Sequence, residues 1–428
     1  ESDNMGIGHN ALAGAVAGGE YNVAVGNYAL DALTSGDNNV AVGYNAGSGL
    51  TTGEATTAIG DSALMTTTTG NSNVAVGANT LKLNTTASYN TAVGSNSLDA
   101  NTTGAGNTAV GYATLSANTT AAANTAVGYE ALLSNTTGTY NTAIGYQAGS
   151  AAFSDLNVFV GFKAGETITS GGANIAIGAT ALDQATTETH NLAIGYQSMS
   201  ADVAGGEQNV AIGNYTLDAL TSGDANTILG YNAGSSITTG GSNTLIGYQA
   251  GQDTVALTTG GNNVAVGLNV RTSASDSYNA IVIGHNISAA SDYFAFGKAS
   301  NVVSNNFTAN ASWSRSSDER KKTNIKNSTL GLNFINELRP VTFNWKPNSE
   351  FPETFEDYKQ ENQMTTDITL HGMIAQDVKK ALDNANVNDF GGWSENEDGS
   401  QELSQEMFVH PLIKAVQELS AQVTTLQQ

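Results

Sequence analysis

The sequence has no cysteine, only four prolines and just 15 basic residues among 428. It therefore offers no disulfide framework, thiolate metal site or thiol nucleophile. Its 38 acids leave a net charge of −23. That balance argues against nucleic acid or an anionic membrane as partner, since both call for clustered positive charge. No run of about 18 apolar residues is present, so no membrane insertion is expected. Charged residues make up 12% of the chain, too few for disorder with so little proline. The chain opens Glu1-Ser2-Asp3, as expected of a fragment or processed product.

What is present divides near residue 300. Before that point lie 43 of the 48 glycines and only four bases, Lys82, Lys163, Arg271 and Lys298. After it lie all four prolines and all three tryptophans (Trp313, Trp345, Trp393). Residues 1–300 are read as a repeat shaft, 301–312 as a linker and 313–428 as a separate domain. The shaft repeats one motif, as in Asn22-Val-Ala-Val-Gly26, Asn141-Thr-Ala-Ile-Gly145 and Asn243-Thr-Leu-Ile-Gly247. Its anchoring glycines are 8, 26, 43, 60, 77, 94, 111, 128, 145, 161, 178, 195, 213, 230, 247, 267, 284 and 297. This period is too short for helical hairpins and falls near that of β-solenoid coils.

Each coil predicts a strand at Asn-x-Ala-Val/Ile-Gly, a second weaker strand such as Tyr129-Glu-Ala-Leu-Leu133, and a turn such as Asn135-Thr-Thr-Gly138. Alternation puts Val23 and Val25 on one face and Ala24 on the other; the sequence leaves open which is the core. The Asn four places before the glycine, present in 15 of the 18 copies, is expected to form a structural ladder, with Asn22, Asn73, Asn90, Asn107, Asn124 and Asn141 among its members. The aromatic residue after many of the glycines (Tyr44, Tyr112, Tyr129, Tyr146, Phe162, Tyr196, Tyr231, Tyr248) is read as packing between rungs or chains. A sugar-stacking stripe is the alternative. Stacked at about 4.8 Å per rung, the copies make a rod of about 80 Å. Such a thin coil is expected to bundle with two more copies about an axis, side by side or intertwined.

These coils resemble the head repeats of trimeric autotransporter adhesins of the YadA type, which implies a left-handed β-roll assembled as a homotrimer. The usual coil of that family is shorter, so the resemblance implies enlarged turns here.

The second domain reads as small α+β. Leu332, Ile335 and Leu338 are spaced for a helix that Pro340 ends, and Val341-Thr-Phe-Asn-Trp345 alternates like a strand. Leu412, Val416, Leu419, Val423 and Leu426 follow a coiled-coil spacing. A helix packed on its own domain fits the same spacing.

The run Ser317-Asp-Glu-Arg-Lys-Lys322, with Leu338-Arg-Pro-Val-Thr-Phe343 and His371-Gly-Met-Ile-Ala-Gln376, is similar to the S74 peptidase family. That family is the intramolecular chaperone at the end of bacteriophage tail spikes and fibres. The resemblance implies chaperoned trimerisation and self-cleavage between Ser316 and Ser317, with Ser317 as nucleophile, Lys322 as general base, and Asp318 and Arg320 as supporting motif. A lysine serves as base when burial or nearby positive charge favours its neutral form, and Arg320 and Lys321 stand beside it. The plain reading of the same run is a solvated basic loop. His371 is a weaker candidate third member.

Taken together, the sequence predicts a mainly β fold, a repetitive β-roll or β-solenoid shaft in a homotrimer. A small α+β chaperone domain with a C-terminal coiled-coil helix follows it. The expected function is attachment to a host or cell surface, as a virion tail fibre or extracellular appendage, through a glycan or protein receptor. No cofactor or metal is expected. A bacterial surface adhesin and a fibre-borne glycan depolymerase are the alternatives. The second would draw on Asp31, Asp37, Asp99, Asp183, Asp218 or Asp224, because glycosidases need paired carboxylates.

Overall fold

The computed structural model describes residues 3–202, 205–252, 255–307, 317–355, 357–362 and 366–427. The chain divides into two compact units, Glu1–Ser316 and Ser317–Gln428.

In the first unit every motif copy forms a short strand, from Met5–Ile7 through Val23–Val25 and Val40–Val42 to Tyr293–Lys298. Successive strands pair in parallel with matching positions aligned, as in Val23↔Val40, Ala24↔Ala41 and Val25↔Val42. The stack is a β-solenoid. Its core face, undetermined from sequence, is the alanine face: Ala24, Ala41, Ala75, Ala92, Ala109 and Ala126 are wholly buried. The β-branched neighbours point outward.

The expected second strand forms only in the last coils, where Arg271–Thr272 pairs in parallel with Ser288–Ala289; in the earlier coils the second segment is not a strand. Tyr129–Leu133 lies in successive turns, with left-handed backbone at Glu130 and Leu132 (φ 53° and 50°). The same conformation recurs at Leu30, Leu64, Leu81, Leu98 and Leu115. Non-glycine residues enter this region at a cost. Here it turns each leucine into the coil, where it is buried against the alanines. Alanine alone would leave the interior underfilled; leucine from the turn completes it. The anchoring glycines are needed for a different reason. Gly26 and Gly43 sit at φ 134° and 143°, and a Cβ on either would strike the next anchoring glycine's carbonyl oxygen.

Residues 301–306, expected as linker, form a strand. Asn301–Asn306 returns antiparallel along Tyr293–Lys298 and pairs Lys298 with Asn301 and Tyr293 with Asn306. The shift in glycine, proline, tryptophan and basic residues near 300 points to a boundary there. The physical reason for the strand is the last parallel edge, whose backbone groups it satisfies. Residues 308–312, the rest of the expected linker, lie outside the described residues.

The second unit contains α1 (Leu332–Glu337), α2 (Ala375–Asn384) and α3 (Val409–Leu426). Two antiparallel ribbons join them, Val341–Phe343 with Leu370–Gly372 and Trp393–Glu395 with Gln401–Leu403. Leu330, Phe334, Val378, Ala381, Leu382 and Phe408 form its core. α3 buries Pro411 and Ala415, and Glu418 accepts the Leu332 N–H at 2.8 Å, capping α1. The expected seam faces elsewhere: Leu412, Val416, Leu419, Val423 and Leu426 are 45–87% exposed. α3 thus packs on its own domain, as the alternative reading held, but through a face other than that seam.

Candidate functional site

Ser317 and Lys322 meet through one turn of 3₁₀ helix, Glu319–Lys321. Within it the Lys321 N–H donates to Asp318 O at 3.1 Å and the Lys322 N–H to Glu319 O at 3.0 Å. The chain reverses, and Lys322 Nζ donates to Ser317 Oγ at 2.7 Å. Asp318 caps the turn. Its Oδ1 accepts from Arg320 N–H at 2.9 Å and from Arg320 Nε at 3.0 Å, while Oδ2 accepts from Arg320 Nη2 at 2.6 Å. The Arg320 side chain holds the Asp318 carboxyl below the ordinary carboxylate range. The sequence suggested that Arg320 lends its charge to Lys322; the fork instead matches that charge to Asp318. Ser317 and Lys322 are exposed. Ser316, on the other side of the expected scissile bond, lies outside the described residues. His371 stands on the strand Leu370–Gly372 opposite Thr342 and makes no hydrogen bond to Ser317 or Lys322.

The asparagine column runs up the shaft interior. Asn22 Oδ1 accepts the Asn39 N–H at 2.9 Å, and Asn22 Nδ2 donates to Gly36 O at 2.9 Å. Asn73, Asn90, Asn107, Asn124 and Asn141 repeat this pairing with the next coil. Each amide thus satisfies backbone of the coil above. Direct amide-to-amide bonds join only some members, such as Asn39 Nδ2 to Asn22 Oδ1 at 3.1 Å.

A second buried column escaped the sequence reading. Asn101 Nδ2 donates to Asn84 Oδ1 at 3.0 Å and Asn118 Nδ2 to Asn101 Oδ1 at 2.8 Å. The sequence signal was an Asn seven places after four consecutive anchoring glycines, where other coils carry residues such as Leu33, Leu50 and Leu220.

Among the aromatic residues Tyr112, Tyr129, Tyr146 and Phe162 stack ring on ring, with centroids 5.1–5.4 Å apart and planes within 16°. Within this run neighbouring rings occupy the faces on which a sugar would stack.

The recurring acids fall into two columns. Asp31, Asp99, Asp183 and Asp218 lie five residues after an anchoring glycine, and burial pushes each carboxyl up. Asp37 and Asp224 instead accept the backbone N–H of Glu20 and Glu207, each at 2.8 Å. Both thereby join one coil to the coil before it.

These observations define the class: a solenoid shaft followed by a small α+β unit that opens on a Ser–Lys contact. Residues 317–387 match the peptidase S74 family, described as the chaperone of endosialidase. No curated protein matches the chain. The family match and the shaft together fit a tail fibre or tail spike with a C-terminal chaperone.

Proposed function

We propose that the protein is a trimeric attachment fibre whose C-terminal unit, residues 313–428, acts as an intramolecular chaperone and then releases itself at the Ser316–Ser317 bond. The observation that carries this reading is the 2.7 Å contact between Lys322 Nζ and Ser317 Oγ at the start of the segment matching the chaperone family.

The step balances without a cofactor. Lys322 as free amine takes the Ser317 hydroxyl proton while Oγ bonds to the Ser316 carbonyl carbon. The Ser316–Ser317 C–N bond breaks, and the nitrogen takes up the proton. Water then hydrolyses the resulting ester, leaving a carboxylate on Ser316 and a free amine and hydroxyl on Ser317. Lys322 is exposed in the single chain, whereas desolvation is what favours a neutral amine. In this reading that burial arrives on assembly, which ties cleavage to association.

Two apolar surfaces support association between copies. One is the α3 seam. The other is the outer strand face of the shaft, where Val42, Ile59, Ile144, Leu229 and Ile283 are 37–43% exposed. Cell-surface attachment, through a glycan or protein receptor, is the use we assign to a rod of this kind on a virion or other extracellular appendage.

The test is a denaturing gel of purified protein. Wild type should run as two fragments, and Ser317→Ala and Lys322→Ala as one. A wild type that stays whole, or a Ser317→Ala chain that still splits, contradicts the proposal.

A further inference from the structure

From Glu319 to Thr329 every residue is exposed, and burial begins only at Leu330. No packing from within the second unit's core therefore fixes the turn that brings Lys322 to Ser317. Two backbone bonds close it, Lys321 N–H to Asp318 O and Lys322 N–H to Glu319 O, and one carboxylate braces it through side chains. Asp318 takes the Arg320 backbone N–H and both arms of its side chain at 2.6–3.0 Å. The bond from the Arg320 N–H caps the start of the turn, and the side-chain fork prevents the carboxylate from rotating away.

We infer that Asp318 and Arg320 form a clasp that positions the Ser317–Lys322 pair, acting through the turn rather than on the reacting atoms. The inference rests on the self-cleavage reading for its purpose and on the geometry alone for its existence. Each member has a defined part. Asp318 supplies one oxygen that accepts both the Arg320 backbone N–H and Nε and a second that accepts Nη2. Asparagine at 318 keeps an acceptor for the backbone but loses the charged second oxygen. Lysine at 320 keeps the charge and loses the fork. Both are positioning residues.

The absence of cysteine makes a direct test available. Ser317→Cys introduces the chain's only thiol, and the pH dependence of its alkylation by iodoacetamide, followed by intact mass, reports how closely Lys322 stands to it. A free thiol titrates near about 8.5, and a neighbouring ammonium lowers that value. We expect a lowered value in Ser317→Cys and a return to about 8.5 when Asp318→Ala and Arg320→Ala are added together. That double change leaves the local net charge unaltered, so the shift reads geometry. Asp318→Ala in the otherwise native chain should slow self-cleavage about 100-fold, the scale of a misplaced reacting group, and Arg320→Lys should fall between it and wild type. The clasp is overturned if the thiol titrates identically with and without Asp318 and Arg320, or if Asp318→Ala cleaves at the native rate. A native chain that never cleaves, with a thiol that still responds to the clasp, refutes the self-cleavage reading and leaves the clasp standing.

Discussion

Asn107 and its equivalents hold two things at once: the strand of the next coil through Oδ1 and its turn through Nδ2. Asn107→Ala should therefore lower unfolding free energy by about 1–3 kcal/mol, the cost of leaving buried backbone groups unpaired, read from the urea midpoint. The reverse test is Thr56, which fills the Asn place and donates to Glu54 O at 3.2 Å and Gly70 O at 3.5 Å. Thr56→Asn should raise stability by about 0.5–1.5 kcal/mol. Phe159 is a different kind of singularity. It replaces the core alanine and is wholly buried, with Gly149 and Gly165 beside it where a Cβ would collide with its ring. Phe159→Ala should cost about 3–5 kcal/mol.

Two carboxylates should respond to pH in opposite directions. Burial works against ionised Glu188, but N–H groups of Gly205, Thr186 and Thr187 outweigh it and hold the carboxyl below 4.5. Its contribution is complete above that value and lost as pH falls through the lower folded one, so Glu188→Gln should flatten the acid limb of the stability profile. Burial instead raises Asp218 above 3.8. Its protonated form stabilises the fold below 3.8, and this is lost as pH rises through the folded value. Asp218→Asn should therefore raise the thermal midpoint at pH 7 and leave it unchanged well below 3.8.

At the scale of elements, the sequence made the core strand visible because its β-branched run recurs with every glycine. The rest of the coil was less legible. Leucines in left-handed turns carry no composition signal that separates them from a second strand, and the cap at Asn301–Asn306 depends on an edge that exists only once the stack has formed. The Ser317–Lys322 pair was legible through its family pattern, but the forked bond from Arg320 to Asp318 is a matter of side-chain direction. α3 was legible in spacing and undecided in partner; it packs on its own unit through Pro411 and Ala415 and leaves the seam exposed. With Val409, 51% exposed, the seam alternates Val409, Leu412, Val416, Leu419, Val423 and Leu426 at steps of three and four. The flanking heptad places hold Ile413, Ala415, Ser420 and Gln422, none of them charged. Association through α3 should therefore be insensitive to salt. In sedimentation experiments, Leu419→Asp should weaken it at low and high salt alike.

For the whole molecule, the two units have different tasks in the proposed account. Valine alternating with leucine along a seam by itself favours two strands, so the third copy has to be recruited by the outward face of the shaft. The chaperone then gathers the chains, and the shaft sets their number. Native mass spectrometry of the purified wild type, beside Ser317→Ala, tests this most directly. The account predicts a complex of three shaft chains, each ending at Ser316 and free of the 317–428 unit, with Ser317→Ala giving three full-length chains. A full-length monomer from wild type, or a complex of two, would contradict it.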